Sequence, residues 1–439
     1  MSTSSAFSID LREGRFDESL SAVYGNELHS QRGRLATLVE RFRLHFAAEP
    51  TAIFSAPGRT ELGGNHTDHN AGRVLAASVS LDTVAAAAPR TDRTVRLISE
   101  GFSDAVEVDL RGTEPVSGER ETPAALIRGV CADLSAHGYR SGGFDAYVSS
   151  EVQPGSGLSS SAAFEVLLAT IVSYFYNDGA VSVVDRARAG RRAENEFFGK
   201  PSGLMDQIAC AAGGVVAIDF ETDVPHLEQV AVDFEAHGYR LCAVHTGGSH
   251  VDLTHAYADV VTEMKAVAVA LGGATLREVS LDALLARLPE VRAETGDRAV
   301  LRALHFFGEN DRVVRQTRLL EAGDVDGYLS EVRSSGSSSW RLLQNCYPPG
   351  AAAHQDLALA LAVSHAVLGD GDGAADGDGA GRGAARVHGG GFAGAIQAYV
   401  PLVRAREYRD AMVRVFGERA VTELGVRSVG ATQVCSVSG

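Results

Sequence analysis

Apolar side chains recur every three or four positions over residues 16–46, at Leu20, Val23, Tyr24, Leu28, Leu35, Leu38, Val39, Phe42 and Phe46. That is the spacing of one buried helix face, so a helical lead-in is predicted. From Ala52 the apolar runs shorten, and residues 53–56, 73–79 and 94–98 predict strands. Residues 144–148 predict another strand, followed by a strongly apolar helix over 162–172 and a second helix over 184–198 that stops at Gly199-Lys200-Pro201. Beyond about residue 230, strands such as 241–244 mix with helices such as 257–271 and 299–322. No internal repeat with a period of about 20 to 50 residues appears.

At 439 residues the chain exceeds one domain of roughly 100 to 200 residues. Two packed lobes are expected: a lead-in over 1–50, an N-terminal lobe over 51–230 and a C-terminal lobe over 231–439. With 45% hydrophobic and 22% charged residues the chain can bury sizeable cores. A formal net charge of −16, with no long Lys/Arg stretch to offset it, argues against generic binding to nucleic acid or to an anionic membrane. Cys131, Cys210, Cys242, Cys346 and Cys435 are scattered without CxxC spacing, which indicates neither a disulfide framework nor a zinc knuckle. The N-terminus lacks the basic start and apolar run of a secretory signal, and a cytoplasmic protein is expected. Residues 369–383 form a Gly, Asp and Ala tract with almost no apolar surface, read as a solvated surface insertion. It is not a calcium loop, because Ala374 stands where a third ligand is needed after Asp370 and Asp372.

Three strings carry the candidate chemistry. Gly58-Arg59-Thr60-Glu61-Leu62-Gly63-Gly64-Asn65-His66-Thr67-Asp68-His69 sets an arginine, a histidine and an acid on a glycine-rich turn, a set suited to a polyol. Gln153-Pro154-Gly155-Ser156-Gly157-Leu158-Ser159-Ser160-Ser161-Ala162-Ala163 precedes the apolar helix, where unpaired N–H groups and the macrodipole favour an anion. Any one of these serines reads as a helix cap, whereas the whole string reads as a phosphate loop without the Walker spacing. Gly389-Gly390-Gly391-Phe392-Ala393-Gly394 matches GxGxxG, but residues 395–400 read as a strand where a dinucleotide fold needs a helix. A glycine hairpin lining a cleft is the better reading. Asp206, between Met205 and Gln207, is placed to orient or deprotonate a nucleophile in phosphoryl transfer, and Glu194 could serve as a magnesium ligand.

In this order, with Gly203-Leu204-Met205-Asp206-Gln207 between the second and third, the strings resemble the signatures of the galactokinases within the GHMP small-molecule kinase superfamily, from about Ser55 to the C-terminus. The resemblance implies a two-lobed α+β fold, ribosomal-protein-S5-like at the N-terminal side and ferredoxin-like at the C-terminal side, with the site between. It implies that Pro154, Gly155, Ser156, Gly157, Leu158, Ser159, Ser160 and Ser161 wrap the phosphates of ATP, and that Ser160 or Ser161 holds Mg²⁺ with Glu194. Asp206 would face the C1 hydroxyl of galactose and Arg59 would neutralise developing charge. His66, Asp68 and Tyr257 would contact the sugar, and Gly389, Gly390 and Gly391 would line the cleft. Members commonly carry Glu in a GEHTD string, where this chain has Asn65, so Asn65 is expected near the C6 hydroxyl. That departure admits a kinase for N-acetylgalactosamine, L-arabinose or a uronic acid. A catalytically silent sugar and ATP sensor is a further reading, disfavoured by the complete Leu158–Ala163 stretch. Sugar and ATP are the expected partners, with no nucleic acid or membrane, and the expected assembly is a monomer or weak homodimer.

Overall fold

The computed structural model of the chain describes residues 5–102, 104–153, 155–248, 253–350, 355–369 and 382–437. Most of the Gly/Asp tract, residues 370–381, lies outside them, as does Pro154. The strands run β1 (Ala52–Gly63), β2 (Arg73–Pro89), β3 (Thr94–Ser99), β4 (Val106–Asp109), β5 (Phe144–Ser150), β6 (Val215–Asp219), β7 (His226–Val230), β8 (Tyr239–His245), β9 (Ala384–Val387), β10 (Ala395–Pro401), β11 (Val421–Leu424) and β12 (Thr432–Ser436). Among the described residues they form two sheets. The first has the order β12-β1-β2-β5-β3-β4, with β6 paired to β2 and β7 to β6, and the second is β11-β8-β10-β9.

Side-chain alternation explains the layering of the first sheet. Phe54, Ala85 and Ala87 pack under the helices Pro123–Ala136 and Ser160–Asn177. Ile53, Val84 and Ala86, one position out of phase, pack under the N-terminal helices Ala6–Arg12, Asp17–Tyr24 and Leu28–Phe46. Successive residues of a strand point to opposite faces, so both faces are apolar and both are covered. The lead-in thus docks through Phe7, Leu11, Leu20, Leu35 and Phe42, each full burial contributing about 1.5–3 kcal/mol.

In the second sheet Leu241 and Ala243 face the core shared with β1 and β2, while Cys242 and Val244 face the helices Asp356–Leu368 and Ala405–Phe416. Its strands are antiparallel, and numbered from β8 they lie in the order 4-1-3-2, the ferredoxin-like arrangement. The last strand, β12, leaves this half and pairs with β1 through Ala52–Ser55.

Two details differ from the sequence reading. Strand β1 does not end before the first motif: it continues to Gly63, with register shifts against β2 at Pro57/Arg59 and Glu61/Gly63, so Arg59 stands on a bulged strand and the turn starts at Gly64. The helix expected over 184–198 is α-helical over Val183–Arg192 and widens to a π-helical turn over Ala193–Phe198.

Candidate active site

Past Ser55, β1 is no longer paired to β12, and the phosphate loop takes that place: the Arg59 N–H donates to Leu158 O at 3.0 Å. Gly58 permits the approach, since a Cβ there would lie 2.9 Å from the same carbonyl. Arg59, 7% exposed, also donates from Nη1 to Gly157 O. Its remaining fork meets Asp206, with Nε to Oδ1 and Nη2 to Oδ2 both at 2.7 Å. Asp206 sits in the first turn of the helix Met205–Ala212, where the macrodipole favours an anion, and accepts from Ser159 Oγ as well. Burial by itself would raise the Asp206 pKa. The Arg59 charge, its hydrogen bonds and the Ser159 hydroxyl outweigh it and hold the carboxyl below the ordinary carboxylate range.

Ser159 caps the helix Ser160–Asn177 in a left-handed conformation, φ 58°, after Gly155 at 77° and Gly157 at 75°. At Gly157 a Cβ would stand 2.9 Å from His388 Nδ1. The first N–H groups of the helix have no acceptor within it, which leaves an anion cradle on this turn. Ser161, rather than Ser160, meets the candidate metal ligand: its Oγ donates to Glu194 Oε1 at 3.1 Å. Glu194 is buried on the π-helical turn, accepts from Lys200 Nζ at 2.8 Å, and is held on its other oxygen by Gln207 Nε2 at 3.3 Å. Gln207 also donates to Glu165 at 3.0 Å. Burial, reinforced by the Glu194 charge, pushes the Glu165 pKa well above its ordinary value. Among the described residues no cluster of three or more His, Cys, Asp or Glu side chains could hold a metal ion. Ser161 and Glu194 fit a Mg²⁺ that completes its shell with phosphate and water.

The glycine hairpin between β9 and β10 is observed, and its carbonyls are bonded to the first motif and to Tyr257. Gly389 O accepts from Asn65 Nδ2 at 2.6 Å, Gly390 O from His66 Nε2 at 2.9 Å and Gly391 O from the Tyr257 hydroxyl at 2.8 Å. Gly390 and Gly391 are required by close approach, since a Cβ would fall 2.4 Å from Tyr257 Cε1 and from Asn345 O respectively. His66 holds a left-handed φ of 59°, and burial lowers its pKa to about 4, which keeps the ring neutral. Asp68 opens the short turn Asp68–Asn70 and lies against Gly203, where a Cβ would come 1.9 Å from its Oδ2. The turn that carries His66 and Asp68 therefore lies against the segment that leads into Asp206.

Asn65 does not match its expected role beside the sugar. It is fully buried, both its N–H groups are taken by Glu61 (3.1 Å to Oε1) and Gly389 O, and its Oδ1 accepts from Asn345 Nδ2 at 2.9 Å. Its donors are spent inside the protein, so it ties the first motif to the hairpin. The sequence reading also passed over the charges beneath it: Glu61 pairs with Arg386, both fully buried, and Thr60 joins His388 at 2.9 Å and Gln397 at 2.6 Å. Glu61 lay in plain view within the first string, but nothing local marks a partner 325 positions away. Lys200 lay in a segment read only as a helix stop.

Residues 40–89 match a family model described as the galactokinase galactose-binding signature, and residues 125–214 match the GHMP kinases N-terminal domain. A galactokinase of Streptomyces coelicolor is 35% identical over 370 residues, covering 82% of this chain and 87% of that one, and a galactokinase of Lactobacillus helveticus is 30% identical over 375 residues, covering 83% and 89%. Among solved structures, Lactococcus lactis galactokinase complexed with galactose superposes with a TM-score of 0.76 at 24% identity, covering 91% of this chain and all of that one. A mevalonate kinase superposes at 0.57 and 15% identity, covering 86% and 99%.

Proposed function

The chain belongs to the galactokinase family of GHMP kinases, and from that premise we propose that it transfers the γ-phosphoryl group of ATP to the anomeric C1 hydroxyl of galactose, giving galactose 1-phosphate. The observation that carries the residue roles is the Asp206 carboxylate, gripped by Arg59 and Ser159 on the segment against which Asp68 lies. In phosphoryl transfer the protein contributes mainly position and charge. Asp206, with its low proton affinity, accepts a hydrogen bond from the C1 hydroxyl and aims its oxygen; it is an orienting group more than a strong base. Arg59, fixed to Gly157 O and Asp206 at once, holds the phosphate loop in register with the acceptor. The phosphates rest on the loop glycines and the free N–H groups of the following helix.

Mg²⁺, held by Ser161 and Glu194, supplies charge neutralisation to the phosphates when bound. His66 and Asp68 bind sugar hydroxyls, and Tyr257 closes the pocket over Gly390 and Gly391. Asn65 spends its amide internally, so the departure at that position does not by itself call for a sugar other than galactose. The intact Leu158–Ala163 stretch and the Arg59–Asp206 pair favour an enzyme over a silent sensor. A cytoplasmic setting suits five cysteines that are all free and buried, and among the described residues no helix is long and apolar enough to cross a membrane. ADP release measured with galactose, N-acetylgalactosamine, L-arabinose and galacturonic acid tests the reading. Galactose is expected to give the highest kcat/KM; a higher value for any other sugar reassigns the substrate, and no release with any sugar removes the kinase reading.

A further inference from the structure

Glu194 presents its two oxygens to different neighbours. Oε2 is tied down by the buried Gln207 amide at 3.3 Å, while Oε1 faces outward to Ser161 Oγ at 3.1 Å and Lys200 Nζ at 2.8 Å. The oxygen that Ser161 shares is therefore already occupied by a cation. Lys200 differs from its partner in one respect that matters: the Glu194 side chain is 4% exposed and the lysine side chain 61%. The carboxylate is fixed, and the ammonium reaches it from solvent on a long flexible stem. The Gly199 and Lys200 N–H groups both donate to Glu194 O, at 2.9 and 3.0 Å, so the backbone that launches the lysine is held in place.

Charge accounting then points one way. Glu194 with Lys200 is a neutral pair, and a divalent ion placed on the same oxygen would face an ammonium at contact distance and be repelled by it. The metal can settle there only if the lysine leaves. A nucleotide triphosphate carries more negative charge than one Mg²⁺ cancels, so an ammonium released from Glu194 has an acceptor beside it.

We propose that Lys200 is the exchangeable counter-cation of Glu194: a metal–nucleotide complex displaces the ammonium from the carboxylate, and Lys200 then pairs with the nucleotide phosphates. This deepens the ATP- and Mg²⁺-dependent reading above and rests on it. In this role Lys200 competes with the bare metal and assists the metal–nucleotide, two effects of opposite sign that a merely structural lysine cannot produce together.

The test is binding, independent of sugar turnover. Mn²⁺ titrated into the nucleotide-free enzyme and followed by the EPR signal of free Mn²⁺ is expected to bind about threefold to fivefold tighter to Lys200→Met than to wild type, the scale of a half-exposed ion pair. Calorimetry with Mg²⁺ and a non-hydrolysable ATP analogue is expected to show the reverse, a loss of similar or larger size. Lys200→Arg, which keeps the charge, should stay near wild type in both, and Glu194→Gln should abolish Mn²⁺ binding. Equal Mn²⁺ affinity in wild type and Lys200→Met, absence of measurable Mn²⁺ binding to Lys200→Met, or unchanged metal–nucleotide affinity overturns the proposal. Because neither measurement uses galactose, a failure of the sugar assignment leaves this outcome readable on its own.

Discussion

Arg59 and Asp206, 147 positions apart, meet as a two-pronged ion pair with both N···O distances at 2.7 Å. The third arm of the same guanidinium holds Gly157 O, so one side chain fixes the spacing between the acceptor carboxylate and the phosphate loop. Lysine at this position keeps the charge and loses the fork. Arg59→Lys is expected to lower kcat by about 10²-fold, the cost of one misplaced transition-state donor, with a smaller change in the KM for galactose. A kcat within a few-fold of wild type in steady-state assays would show that the pair serves only to hold the fold together.

Asn65→Glu separates a structural from a recognition role. A carboxylate at 65 would face the Glu61 carboxylate and the Gly389 carbonyl, both now served by the Asn65 amide. Leaving a buried charge uncompensated costs about 3–5 kcal/mol, so chemical denaturation should show a destabilisation of that order. The ratio of kcat/KM for galactose to that for 6-deoxygalactose should stay as in wild type for whatever fraction folds. A stable variant with a sharpened ratio would return Asn65 to the C6 pocket.

The elements were legible in the sequence to the extent that local pattern determines them. The three- and four-residue spacing before Phe46 and the apolar stretch over 162–172 match helices Leu28–Phe46 and Ser160–Asn177 because each must bury one face on the sheet. The glycine hairpin was legible because β10 carries a strand's apolar run after it. What local pattern cannot show is which polar groups meet. Asn65 looked like a recognition residue because its neighbours Asn345 and Gly389 lie 280 and 324 positions away. Strand β1 read as stopping at Ala56, before a glycine-rich turn, whereas here the missing Cβ of Gly58 admits the Leu158 carbonyl and the strand runs on. The return of β12 to β1 is likewise a long-range pairing with no local mark.

The site is expected to be insensitive to mild acid. His66 titrates near 4 because burial disfavours its charged form, and Asp206 titrates below its ordinary value. Both lowered pKa values leave His66 neutral and Asp206 ionised from pH 5.5 to 8. The KM for galactose should be flat across that range. A KM that rises on acidification with a midpoint near 6.5 would place a charged His66 in the working site.

Asp82 should set the acid limit of stability instead. Fully buried, it accepts from Tyr24 at 3.0 Å, Arg34 at 2.7 Å and Arg427 at 3.0 Å, joining the lead-in helices, β2 and the segment before β12. Burial raises its pKa, but the two arginines outweigh that and leave it lowered. A depressed pKa means stabilisation that is complete above the unfolded value of about 3.9 and is lost as pH falls through the folded value. Asp82→Asn should therefore cost about 3–5 kcal/mol at pH 7, and the gap to wild type should narrow only below about pH 4. Urea unfolding at pH 7, 5 and 4 checks this; a gap that already closes between 7 and 5 contradicts it.

The most direct test of the account follows the acceptor atom itself. Galactose labelled with ¹³C at C1 is incubated with the protein, ATP and Mg²⁺ and observed by ¹³C NMR. The account predicts that the C1 resonance shifts and splits through coupling to phosphorus as ADP accumulates, and that both changes vanish in Asp206→Asn over the same interval. ADP formation with the C1 resonance unchanged, or phosphorus coupling at C6 of a C6-labelled sample, would contradict phosphorylation of the anomeric hydroxyl by this site.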